Sequence, residues 1–234
     1  MIRLENISLA YGDKQIIRNS NASFPTSTLT ALIGRNGAGK STLLRALSAI
    51  DAPQGGRIIV AGNDIQDLSS EQRARLISFV GTHRVRVANL KCRDVVAIGR
   101  APYTNWLGSM QAQDLELVMQ SLAEVGMEAF AERTIDSLSD GECQRIMIAR
   151  ALAQQTPIII LDEPTAFLDI PTRFEITRLL ATLAHTQGKT IIFSTHDIDA
   201  AIPASDAIAV IDNCQLTIHP KSQAEEVIKH LFSL

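Results

Sequence analysis

The chain has 234 residues, of which 46% are hydrophobic, 20% charged and 4% aromatic. That composition fits one large domain, or a core with a small appended subdomain, and excludes a long disordered protein. With 22 Lys and Arg against 25 Asp and Glu, the formal charge of −3 supplies no global basic field and gives no case for nucleic acid as a partner, so any polyanion must be held locally.

Met1 to Ala10 alternates apolar and polar residues and carries Arg3 and Glu5, where a secretory signal needs an unbroken apolar core. No apolar stretch approaches the roughly 20 residues of a spanning helix, so the expected place is the cytoplasm. Ile2, Leu4, Ile7 and Leu9, then Ile16 and Ile17, then Leu29 to Ile33 read as strands divided by Tyr11-Gly12-Asp13 and Pro25-Thr26-Ser27, an antiparallel start. From Gly39 the pattern turns helical through Leu43, Leu44 and Leu47 and stops near Asp51-Ala52-Pro53. A strand follows at Ile77 to Val80, and Val95 to Ile98 reads as a short amphipathic helix ended by Gly99 and Pro102. Leu115, Val118, Met119, Leu122 and Val125 predict a buried helix face that stops at Gly126. Pro157 to Leu161 and Thr190 to Phe193 suit parallel strands covered on both faces, joined by a helix entered through Pro171. Ser222 to Leu231 predicts a last short helix. Cys92, Cys143 and Cys214 are odd in number, widely spaced and without CxxC pairing, which suggests reduced structural thiols rather than disulfides or a zinc site. The expected fold is an α/β core built on a mostly parallel sheet, with an antiparallel N-terminal part. Residues 83–155 are expected to form an inserted helical subdomain, and 1–82 with 156–234 the core.

Gly34-Arg35-Asn36-Gly37-Ala38-Gly39-Lys40-Ser41 matches GxxxxGK[ST] directly between a predicted strand and a predicted helix, the context this phosphate-binding loop requires. Glycines 34, 37 and 39 let the backbone curl so that its N–H groups point inward, and the helix N-terminus adds positive partial charge. Asn36 belongs to the same cradle. Lys40 would reach the β and γ phosphates, the Ser41 hydroxyl would ligate Mg²⁺, and Thr42 would add a phosphate contact. Asp162-Glu163 ends the strand Ile158 to Leu161, at the open edge of a parallel sheet. By itself an Asp-Glu pair before Pro164 is more often a solvated turn. Beside a phosphate loop, Asp162 is expected to hold Mg²⁺ through water and Glu163 to orient or deprotonate the attacking water.

Kinases, GTPases and helicases share those two elements, so further motifs must choose between them. Leu138-Ser139-Asp140-Gly141-Glu142 ends 20 residues before Asp162 and opens a helix with Gln144, Arg145, Ile148 and Arg150. It resembles the LSGGQ signature of ATP-binding-cassette (ABC) ATPases. Phe167-Leu168-Asp169 is similar to that family's D-loop, and His196, after the strand Ile191 to Phe193, to its switch histidine. Tyr11 lies where the family stacks an aromatic on adenine, although a Tyr beside Gly is also an ordinary turn-edge residue. The resemblance runs from about Ile2 to Asp212. It implies ATP and Mg²⁺ as cofactors, and a head-to-tail homodimer in which Ser139 and the Gly141 N–H of one subunit meet the γ-phosphate held by the other. It implies His196 as a γ-phosphate sensor.

Two positions depart from the family pattern. Where the family has a glutamine touching Mg²⁺, this chain has Gly81-Thr82-His83, and Thr82, with its shorter hydroxyl, reaches a metal only by closer approach or through water. Asp140 and Glu142 replace Gly and Gln, and a carboxylate near a phosphate site repels it unless turned away. Val95-Val96-Ala97-Ile98-Gly99-Arg100-Ala101-Pro102 resembles the VALGRxP segment of ATPases from iron-siderophore, haem and cobalamin importers, where it walls the groove for a permease loop helix. Arg84, Arg86, Lys91, Arg93 and Arg100 would face an acidic permease surface, lipid headgroups or simply solvent.

The resemblance thus implies a peripheral ATPase at the cytoplasmic membrane face. Its partners are permease subunits, with an extracytoplasmic substrate-binding protein reached only through them, and it makes no contact with cargo. The alternatives are an ATPase for another solute, an iron–sulfur assembly scaffold and a P-loop kinase. DNA-repair members need a long coiled coil between phosphate loop and carboxylates, and the 122 residues from Lys40 to Asp162 leave no room for one.

Overall fold

A computed structural model describes residues 2–82, 87–104 and 109–232. The predicted His83, Arg84 and Arg86 lie outside them. β1 (Ile2–Tyr11) and β2 (Lys14–Phe24) form the expected antiparallel pair, and β4 (Gly55–Val60) and β5 (Asn63–Asp64) complete a four-stranded sheet in the order β2-β1-β4-β5. The alternation in β1 buries Ile2, Leu4, Ile7 and Leu9. The register shifts between Leu4 and Ile7, which keeps both on the inner face across an odd spacing.

The second sheet contains β3 (Leu29–Ile33), β6 (Ile77–Val80), β7 (Ile158–Leu161), β8 (Thr190–Ser194), β9 (Ala207–Asp212) and β10 (Gln215–Pro220). Its order is β10-β9-β3-β8-β7-β6, parallel throughout except for the β9–β10 pair. Every residue of β3, β7 and β8 is buried, as expected of strands covered on both faces. α1 (Lys40–Leu47) places Leu43, Leu44 and Leu47 in a core shared with Ile7, Ile58 and Ile192, so the two sheets close on it. α6 (Ile170–Gln187) is the crossover from β7 to β8. Its Ile176, Leu180 and Leu183 enter a second core with Ile159, Ile191 and Phe193. Ser69 caps α2 (Ser70–Leu76), while α7 (Ile198–Ala204) and α8 (Ala224–Phe232) follow β8 and β10.

α3 (Cys92–Ala97), α4 (Ala112–Glu124) and α5 (Asp140–Ala153) pack on one another and on that second core through Val96, Leu122, Ile146 and Ile148. No described helix is long and apolar enough to cross a membrane. Cys92, Cys143 and Cys214 form no disulfide with one another, and burial pushes the Cys92 thiol up.

Several local expectations need correction. α1 ends at Leu47, before the turn cluster, because the chain bends at Ala49 with φ 52°. Gly99 does not end the helix after Val95. The chain tightens into a 3₁₀ turn over Ile98–Tyr103, and Gly99 lies so close to α5 that a β-carbon would stand 2.2 Å from the Arg150 carbonyl oxygen. On α4, Val118 and Leu122 are buried but Leu115 and Met119 are 55% and 37% exposed, since Asp114, Val118, Ser121 and Leu122 form the buried face. Periodicity locates such a stripe without fixing its edges.

Arg100 is buried and therefore cannot face lipid or permease. Its Nε donates to Asp114 Oδ1 at 2.9 Å, one Nη donates to the Ala153 carbonyl at 2.7 Å, and the guanidinium stacks 4.1 Å from the Tyr103 ring centre. The Gln111 amide and then Arg100 hold the Asp114 carboxyl below its usual range. Lys91 and Arg93 both pair with Glu132, which neutralises part of the cluster. Arg100→Ala strands a buried carboxylate and is expected to cost about 3 kcal/mol. Urea unfolding checks this, and a loss below about 1 kcal/mol contradicts it.

Candidate functional site

The loops after β3, β7 and β8 leave the same C-terminal edge of the parallel sheet, with β8 between the other two. That edge is where open α/β sheets bind ligands. It brings together the phosphate-loop residues Gly34 to Lys40, the carboxylates Asp162 and Glu163, and His196.

In the first loop Gly37 and Gly39 have φ 72° and 96°. A β-carbon at Gly39 would come within 2.0 Å of Ile16 Cγ2, so both conformation and space demand glycine there. Lys40 is buried, and its Nζ lies back across the loop, donating to the Gly34 carbonyl at 3.1 Å. An ammonium carries three donors, so two remain for an anion in the cradle. Ser41 and Thr42 follow in the first turn of α1, and Lys14 Nζ donates to the Gly37 carbonyl at 2.8 Å. A cavity of about 510 Å³ adjoins the loop, lined in part by Gly34, Arg35, Asn36, Thr195, His196 and Phe232.

Asp162 is buried at the end of β7 and accepts a 2.6 Å hydrogen bond from the Ser194 hydroxyl on Oδ1. The same hydroxyl accepts from the Glu163 amide at 2.8 Å. Glu163 has φ 49°, a left-handed conformation that costs a non-glycine residue about 1 kcal/mol or more and persists where the surroundings enforce it. The bond from its amide to Ser194 braces that conformation, and the Glu163 Oε2 lies 3.7 Å from His196 Nδ1. The Thr82 hydroxyl donates to the Asp162 carbonyl at 3.1 Å, which ties the loop after β6 to the carboxylate turn.

The D-loop segment caps α6, with Asp169 accepting from the Thr172 amide at 3.0 Å. Arg173 donates to the Leu168 carbonyl at 2.8 Å and pairs with Asp197, the N-cap of α7, at 3.2 Å, so it joins this segment to the residue after His196. Tyr11 is 76% exposed at the end of β1. Ser139 caps α5 and is bonded to Glu142, and a β-carbon at Gly141 would stand 2.7 Å from Thr172 Cγ2. The Ser139 hydroxyl and the Glu142 carboxylate are bonded to each other. Sequence reasoning passed over Ser194, Lys14 and Arg173. For Ser194 a signal existed, a hydroxyl at the edge end of an apolar strand, directly before Thr195-His196.

The family profile described as ABC transporter matches residues 17–166. An uncharacterized ABC transporter ATP-binding protein of Methanocaldococcus jannaschii is 37% identical over all of this chain and 82% of its own length. A probable siderophore transport system ATP-binding protein of Bacillus subtilis is 37% identical over 97% of this chain and 82% of its own. Among solved structures, a dimeric post-hydrolysis ATP-binding cassette bound to ADP and Pi superposes with a TM-score of 0.80 at 27% identity, covering 94% of this chain and 99% of that one.

Proposed function

This chain belongs to the ABC transporter family, as an ATP-binding and ATP-hydrolysing cassette, and we propose that it energises uptake of an iron chelate through a membrane permease. The observation that carries the nucleotide chemistry is the convergence of the phosphate loop, Asp162, Glu163 and His196 on one sheet edge. The resemblance to a siderophore transport ATPase carries the cargo class.

In this reading the N–H groups of residues 34 to 39 and the Lys40 ammonium hold the β and γ phosphates, Asn36 and Thr42 add contacts, and Tyr11 stacks on adenine. Ser41 and Asp162 offer a hydroxyl and a carboxylate, an all-oxygen donor set that fits Mg²⁺. When bound there, Mg²⁺ supplies positive charge against the phosphate oxygens. Glu163 accepts a proton from water as the water oxygen attacks the γ-phosphorus, and the bond to the ADP oxygen breaks. His196, beside Glu163, senses the γ-phosphate. Thr82 serves through its bond to Asp162 as a link rather than as a metal ligand. Two copies pair head to tail, so that Ser139 and the Gly141 N–H close on the ATP held by the partner.

The permease docks at the cytoplasmic membrane face, and an extracytoplasmic binding protein delivers cargo to it. A cavity of about 420 Å³ between α3 and α4, lined by apolar Ala97, Met110, Leu115, Val118 and Met119 and by charged Arg93 and Asp94, supports this docking. It explains why Leu115 and Met119 are exposed. Uptake of labelled ferric siderophore, haem and cobalamin by cells with and without the gene tests the assignment. Loss of siderophore uptake alone is expected, and unchanged uptake of all three refutes it.

Ser194→Ala removes the group that holds both carboxylate residues in place. It is expected to lower kcat by about 10-fold or more with ATP affinity kept, because a misplaced base loses rate without losing phosphate contacts. Equal falls in affinity and kcat would argue against this positioning role.

A further inference from the structure

Glu142 occupies the very group through which the signature would meet ATP. Its Oε2 accepts from both the Ser139 amide and the Ser139 hydroxyl, each at 2.8 Å, while its own amide donates to Ser139 Oγ at 3.3 Å. A serine hydroxyl has one proton, and here that proton is spent on the carboxylate. α5 therefore begins with its N-terminal partial charge already answered from within the chain, with Asp140 adding a second acid in the same turn. The Ser139 amide and then its hydroxyl hold the Glu142 carboxyl below its usual range, so the competitor is an anion at neutral pH. Ser139 itself is exposed and faces outward from the chain.

We propose that Glu142 is an internal rival of the γ-phosphate, a residue that must release Ser139 before two ATP-loaded copies can close and that thereby sets the strength of ATP-driven pairing. The inference rests on the reading of Ser139 and Gly141 as groups that meet the partner's ATP. A glutamine at this position completes the same helix cap, because a capping box accepts either residue. It does so without a negative charge beside the phosphate. Charge at residue 142, rather than the cap, is therefore the controlling variable. The effect enters twice, since a head-to-tail dimer has two such sites.

The test measures ATP-dependent dimerisation at fixed ionic strength in a background that cannot hydrolyse, comparing E163Q with E142Q/E163Q and E142D/E163Q by analytical ultracentrifugation. Neutralising one like charge per site is expected to tighten closure about 10-fold, or about 100-fold for the pair. The E142D form, which keeps the charge, should gain nothing, and thermal melts should be alike for E142Q/E163Q and E163Q. Equal or weaker pairing of folded E142Q/E163Q overturns the proposal, as does an equal gain in E142D/E163Q. If all three bind ATP and none dimerises, the paired-site reading fails and the proposal with it. If E163Q dimerises but E142Q/E163Q does so no better, the rival role alone fails.

Discussion

Glu163→Gln leaves ATP binding intact, lowers turnover by at least about 100-fold and traps an ATP-bound dimer, the loss expected when a general base is removed. The geometry makes this a clean substitution. Glu163 is positioned through its backbone, with φ 49° and its amide on the Ser194 hydroxyl, and neither depends on the carboxylate. Glutamine keeps the side-chain length and stays near His196, whose Nδ1 lies 3.7 Å from Oε2 in the native chain. What it lacks is a basic oxygen to take the proton from water. Phosphate release, ATP affinity and sedimentation, measured on the same preparation, separate the three consequences. Near-normal turnover would refute the role of Glu163.

Lys40→Ala acts earlier, on binding itself. The Lys40 side chain is buried beneath the loop with its ammonium on the Gly34 carbonyl, so the variant loses both a brace and the charged donor at the motif's lysine position. Hydrogen bonds to charged groups contribute roughly 1.5 to 3 kcal/mol each, so loss of one corresponds to roughly 10- to 150-fold weaker ATP binding. Calorimetric titration with ATP is the measurement, and circular dichroism confirms that the variant folds. Unchanged affinity would count against the phosphate-loop reading.

The phosphate loop was legible because its chemistry is contiguous, with eight successive residues carrying the turn, the charge and the hydroxyl. The Asp162-Glu163 pair was legible by its place at the end of an apolar run. Residues that act across the sheet left weaker traces. Ser194 touches Asp162 only because β7 and β8 are neighbours, and no spacing rule relates them. Lys14 reaches Gly37 from the other sheet. Arg100 read as one of a basic cluster, whereas its partners Asp114 and Ala153 come from α4 and α5, and only their packing buries it. Leu115 and Met119 fail in the opposite sense. They belong to an apolar stripe wider than the face that α4 covers, and the excess is what supports a docking surface. Residue type at 142 was readable as a departure, but its consequence depends on a rotamer, the one that folds the carboxylate onto Ser139.

The contact between Ile16 and Gly39 bears on how this protein can change. No β-carbon fits at 39 while a branched side chain fills the space from β2, so the two positions form a single constraint although one lies in a strand and the other in the loop that opens α1. Evolutionary drift at residue 16 is then not neutral: a bulkier side chain there would deform the cradle as surely as a substitution inside it. A screen of variants confined to the glycine-rich motif would thus miss part of what preserves it, which lies in β2, outside the motif.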